Sequence, residues 1–130
     1  MCFNAAVSNL DDHPRNHALL AKDRSWRLSP AYDLAPLPVV ALDRRDLAME
    51  CGPFGRWANK ANLVGAAGRF LMDRDEAEAI FTGVTDTIGA SWRATLRRAG
   101  VSERDCEAVR SAFLYEGLFF ETSTRSATNA

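Results

Sequence analysis

Between Asp73 and Gly100 the chain carries Ala77, Ile80, Phe81, Val84, Ile88, Trp92 and Leu96 at steps of three and four residues. That spacing gathers apolar side chains on one face of an α-helix. Both ends of the element are marked. Asp73 followed three residues later by Glu76 has the form of a capping box, while Arg97 and Arg98 complement the helix dipole just before the Gly100 stop. A long helix with one apolar face must bury it against other elements, so the sequence predicts a mainly α, helix-on-helix fold.

Other segments support the same class. Leu63, Val64, Ala67, Phe70 and Leu71 form a second helical stripe. A last helix is expected to start at Ser102, with Asp105 in its first turn and Cys106, Val109, Phe113, Gly117 and Phe120 along its apolar face. Phe3, Ala6, Val7 and Leu10 also sit at helical spacing, at the start of the chain. The exception to the helical pattern lies between Ala18 and Leu28, where the short runs Ala18–Ala21 and Ser25–Leu28, parted by Lys22, Asp23 and Arg24, read as a small β-hairpin. Residues 34–58 hold three prolines and two glycines with no sustained period, and are expected to be irregular with an extended piece near 46–50. The tail after Glu121 has no core-forming residue and is expected to be disordered.

Composition narrows the function classes. Sixteen basic residues against seventeen acidic give a net charge of −1, which offers no electrostatic reason for direct nucleic-acid or anionic-membrane binding. No apolar run reaches the ~20 residues that span a bilayer. Cys2, Cys51 and Cys106 are odd in number and widely spaced, as in a cytoplasmic protein with reduced thiols rather than a disulfide framework.

The chemistry concentrates between Asn9 and Asp33. The stretch NLDDHPRN is dense in polar groups and contains Pro14, so it forms a loop. If the hairpin follows it, the two hairpin ends lie about one strand spacing apart, ~5 Å, and Asn16 and Asp33 can point into one small volume. A hard Mg²⁺ ion takes such a sparse oxygen set together with substrate phosphates. Asp11 stands five residues before Asn16, the separation between proton-accepting Asp and metal-binding Asn in the kinase arrangement D-x-x-x-x-N.

NLDDHPRNHALL followed by WRLSPAYDLAP resembles the catalytic loop and metal-binding segment of HipA-like serine/threonine kinases. Asn9, Asp11, His13, Arg15 and Asn16 fit that family's N-x-D-x-H-x-K/R-N loop, and Ala31, Tyr32 and Asp33 fit its second motif. GVSERDCEAVRSAFLYEG is similar to the family's closing helix, which extends the likeness to about Glu121. The resemblance implies the helical C-lobe of a kinase over residues 1–121, with catalytic loop 9–16, metal-binding segment 29–34 and helical bundle 59–120. It implies Asp11 as catalytic base, Arg15 as a cation offsetting phosphate charge, and Asn16 and Asp33 as ligands of Mg²⁺ and through it of ATP. The substrate would be a protein hydroxyl, and an antitoxin-type DNA-binding protein is the implied partner.

The neighbouring residues receive plainer readings. Asp12 is expected to face solvent or to cap, because the five-residue spacing selects Asp11. His13 is expected to hydrogen-bond within the loop, His17 to have no role of its own, and Trp26 and Tyr32 to be core aromatics beside the site.

A kinase of this kind also needs a glycine-rich segment over the phosphates and a strand lysine, both upstream of the catalytic loop. Only Lys22 and Lys60 are present, and the glycine clusters at 52–55 and 65–68 follow the loop. The expectation is therefore a fragment whose nucleotide-binding part is missing. Such a fragment would expose an apolar face around Phe3, Val7 and Leu10 and self-associate through it.

Overall fold

The computed structural model describes residues 1–39 and 41–121; the disorder expected for 122–130 lies outside the described residues. Helix α1 (Cys2–Ala6) leads through a polar loop, with a 3₁₀ turn at Pro14–Asn16, into a hairpin of β1 (Leu19–Lys22) and β2 (Ser25–Leu28). An irregular stretch then reaches α2 (Lys60–Gly65), a 3₁₀ turn (Ala67–Phe70), the long α3 (Arg74–Arg98) and the short α4 (Glu103–Val109). The fold is mainly α with one two-stranded antiparallel sheet.

Helix α3 organises the core. Its capping box is formed in full: Asp73 Oδ1 accepts from the Glu76 amide at 2.8 Å, and Glu76 Oε2 accepts from the Asp73 amide at 2.9 Å. Ala77, Phe81, Thr85 and Ile88 are its buried residues, and α1 and α2 pack against it. Thr85 enters the stripe because its hydroxyl donates back to the Phe81 carbonyl at 3.0 Å and so needs no water. Ile80, expected in the stripe, is exposed. Truncating Phe81 to Ala would cost about 3–5 kcal/mol, since its ring is fully enclosed by the core.

Three expected helices end early. Chain 1–10 leaves the helix at Ala6, where Ser8 turns to a φ of 53°. This buries Val7 and half-buries Leu10, so of the apolar face expected to be exposed only Phe3 is open to solvent. The second stripe breaks after Gly65, and Leu71 adopts a left-handed φ of 57° and stands almost fully exposed, because the chain must turn sharply to enter the Asp73 cap. The last helix stops at Val109 rather than running to Phe120. Tertiary backbone bonds compete with it: Leu114 N donates to Ala6 O and Gly117 N to Leu42 O, each at 2.7 Å, and two further 3₁₀ turns replace the helix.

The irregular stretch is held by buried polar side chains. Arg45, 2% exposed, donates to the carbonyls of Val39 (2.8 Å), Ala41 (2.9 Å) and Ser111 (2.8 Å) and to Ser8 Oγ (2.6 Å). Its guanidinium also stacks 4.5 Å over the Tyr115 ring, and burial lowers its pKa. No carboxylate faces it among the described residues. Asn62, fully buried, accepts from Phe54 N at 2.6 Å and donates to Gly55 O (2.9 Å) and Trp57 O (2.8 Å). Asn59 caps α2 by accepting from Asn62 N at 2.9 Å. Gly52 is obligatory beside this knot, because a Cβ there would lie 1.9 Å from the Asn62 carbonyl oxygen.

Candidate active site

The hairpin brings the polar loop and segment 29–34 together. Leu19 pairs with Leu28 and Lys22 with Ser25, closed by Asp23 and Arg24 at φ of 52° and 67°. Two consecutive positive φ values are the geometry of a two-residue type I′ turn, whose twist matches that of the strands. Pairing continues past the strand ends through Ser29 N to Ala18 O at 2.8 Å. Beyond that point side chains take over. Asn16 Nδ2 donates to Asp33 Oδ2 at 2.8 Å, and the Tyr32 hydroxyl donates to the Arg15 carbonyl at 2.6 Å.

Tyr32 is therefore a half-exposed clasp rather than a core aromatic. Trp26 is not core either. It shares one hairpin face with Leu19, Ala21 and Leu28, and that face is open to solvent because no element packs on it among the described residues.

Asn16 is fixed from both sides. Its Oδ1 accepts from the His13 amide at 2.9 Å, which leaves its second lone pair open while Nδ2 holds Asp33. Asp33 has a left-handed φ of 57°, an uncommon conformation for a residue with a side chain, and Asp33 Oδ1 takes no hydrogen bond among the described residues. One carboxylate and one amide oxygen held on neighbouring chain ends fit a hard divalent cation that completes its shell with water and phosphate. Nowhere among the described residues do three or more His, Cys, Asp or Glu side chains gather as a closed metal cage.

The two adjacent aspartates are separated by their surroundings. Asp11 has an 85% exposed side chain whose Oδ1 meets His13 Nε2 at 2.6 Å, so His13 does bond within the loop. Asp12 is buried, contrary to the solvent-facing role expected of it. Its Oδ2 accepts from Asn4 Nδ2 at 2.6 Å and its Oδ1 lies 2.8 Å from His17 Nε2. Helix α1 causes this: the polar loop folds back over its Asn4 side, and Asn9 Nδ2 bonds Asn4 Oδ1 at 3.2 Å. Arg15 keeps its side chain exposed, and its guanidinium makes no hydrogen bond or ion pair among the described residues.

A cleft of about 430 Å³ opens here, lined by Asn4, Asp12, Asn16, His17, Ser29 and Tyr32 among others. Sequence reasoning missed Asn4, His17 and the Tyr32 hydroxyl. The Asp11–Asp12 doublet was the available signal, since two adjacent carboxylates on a tight loop must point apart. Nothing in the sequence pairs Asn4 with Asp12.

A mainly helical lobe with a hairpin set between its first helix and its core, and polar groups from both hairpin ends converging at the base, defines the class of domain. A family model for the HipA-like C-terminal domain matches residues 1–92. The chain belongs to the HipA-like C-terminal domain family. The matched region contains every candidate site residue and ends inside α3, so α4 and the closing turns lie beyond it. No curated protein and no solved structure matches the chain.

Proposed function

We propose that this domain is the catalytic lobe of a protein serine/threonine kinase, transferring the ATP γ-phosphoryl group to a protein hydroxyl together with a nucleotide-binding lobe outside these 130 residues. The observation that carries the reading is the 2.8 Å contact of Asn16 with Asp33 across the hairpin ends, with an exposed carboxylate, Asp11, on the same loop. Asp11 accepts the proton of the attacking hydroxyl as its oxygen bonds to the γ-phosphorus. The bond from that phosphorus to the β,γ-bridging oxygen breaks, and ADP leaves with the electron pair. His13 orients the Asp11 carboxylate, and the exposed Arg15 guanidinium lies on the loop where phosphate charge accumulates.

Asn16 and Asp33 would hold Mg²⁺. Held there, that ion would supply positive charge to offset the charge of the phosphates. The chain itself contributes preorganisation, because Tyr32 and the strand ladder fix the separation of the two ligands before any ion arrives.

The test is transfer from γ-labelled ATP to a protein substrate by the chain expressed with its upstream reading frame. Label incorporation that is lost in Asp11→Asn and Asp33→Asn is the expected result, as is no transfer by the 130-residue chain alone. Transfer that survives Asp11→Asn would remove the base assignment.

A further inference from the structure

We propose that Asp12 and His17 form a brace that positions Asn16, making both of them positioning residues for the metal-binding pair; the proposal rests on the kinase reading above. The Asp12 carboxylate is 6% exposed and divides its two oxygens between two elements, taking Asn4 of α1 on Oδ2 and His17, just before β1, on Oδ1.

Residues 12 and 17 are the two ends of the turn that contains Asn16. Inside that turn three bonds run in the same small space: Asn16 N to His13 O at 2.9 Å, His17 N to Pro14 O at 3.1 Å, and His13 N to Asn16 Oδ1 at 2.9 Å. A short 3₁₀ turn has poor hydrogen-bond geometry and little stability of its own. The contact between Asp12 and His17 closes it from outside, and the bond to Asn4 ties the closed turn to the helical core. Asp33, on the other hairpin leg, then meets an Asn16 whose side chain is already aimed.

A buried carboxylate with two partners has a plainer explanation as a folding contact, and the two roles separate experimentally. His17 is exposed, so His17→Ala removes the brace from the solvent side without opening the core. Asp12→Ala removes it from the inside. Asp12→Asn restores it, because the Asn oxygen accepts from Asn4 while its amide can donate to His17 Nε2 in the tautomer that carries hydrogen on Nδ1.

The experiment uses the isotope-labelled 130-residue chain with Mn²⁺ as probe, following paramagnetic loss of the Asn16 and Asp33 amide signals, beside hydrogen exchange at the His13, Asn16 and His17 amides. In His17→Ala the expected results are about five- to tenfold weaker Mn²⁺ affinity and similarly faster exchange of those three amides, with the thermal midpoint unchanged. Asp12→Ala should show the same affinity loss, the double variant no more than the Asp12→Ala single, and Asp12→Asn should recover most of it. Unchanged Mn²⁺ affinity or unchanged loop exchange in His17→Ala, with a wild type that binds at Asn16 and Asp33, overturns the brace alone. A wild type whose signals are lost elsewhere, or nowhere, overturns the metal reading and the positioning role with it.

Discussion

Polar side chains crowd two parts of this domain, the loop and hairpin of residues 9–33 and the irregular chain that runs from residue 41 into the start of α2, and the two parts treat them in opposite ways. In the second, Arg45, Asn59 and Asn62 are buried and use their donors and acceptors on carbonyls and amides of their own surroundings. In the first, Asp11 is exposed, Asp33 keeps one oxygen unbonded among the described residues and Arg15 reaches solvent. Saturated polar groups fix a fold, because each would be costly to leave unpaired. Unsaturated ones held in place are what a ligand needs. Asp12 belongs to the first part by sequence yet is buried like the side chains of the second, and through Asn4 it ties the loop to α1.

The contrast breaks most sharply if a charge in the open region proves structural. Asp11→Asn and Asp33→Asn in a two-lobed protein should each lower phosphoryl transfer by at least ~10²-fold while leaving the thermal midpoint within a degree or two. A matching fall in the midpoint, measured by calorimetry, would merge the two regions. The converse substitution is Asn62→Ala, which orphans the Phe54 amide and removes one of the donors to each of the Gly55 and Trp57 carbonyls. It should destabilise by about 2–4 kcal/mol in urea unfolding.

Alkaline pH sharpens the same contrast. Burial pushes the Tyr115 phenol up to about 12 and the Cys51 thiol up to about 11, so the folded state favours both protonated forms. Their contribution is fully present below the ordinary values of 9.0 for the thiol and 10.0 for the phenol, and is lost as pH rises through the raised ones. Urea midpoints should hold steady from pH 7 to about 8.5 and fall between about pH 9 and 12. Tyr115→Phe should flatten the upper part of that fall. The smallest effect belongs to a site outside both regions: Asp73→Ala removes one half of the α3 capping box and should cost about 1 kcal/mol, readable as a shifted thermal midpoint.

These regions were unequally legible in the sequence. Helix α3, its Asp73 and Ser102 neighbours and the hairpin follow from local pattern, because caps, apolar periodicity and turn composition act over a few residues. Where elements end was less accessible. The early stops at Ala6 and Val109 go with distant backbone partners, Ala6 with Leu114 and Leu42 with Gly117, which no local rule registers. The candidate site divides the same way. Asp11, Asn16 and Asp33 stand out by spacing, whereas the burial of Asp12 depends on where α1 lies. Nothing in the sequence marks Arg45 as buried, and only the fold supplies the carbonyls and the Tyr115 ring around it.

Asn16 and Asp33 sit on opposite legs of one hairpin, and this has an evolutionary consequence. The distance between them is set by strand pairing, with Tyr32 and Arg15 as the adjacent rung, rather than by α3 and α4. The spacing of the pair is thus a heritable property of residues 15–33 as a cassette. Drift, insertion or replacement in α3 and α4 can remodel the helical surface while the two oxygen-bearing groups stay in register. Selection can then act on the helical surface and on the loop pair as separate traits.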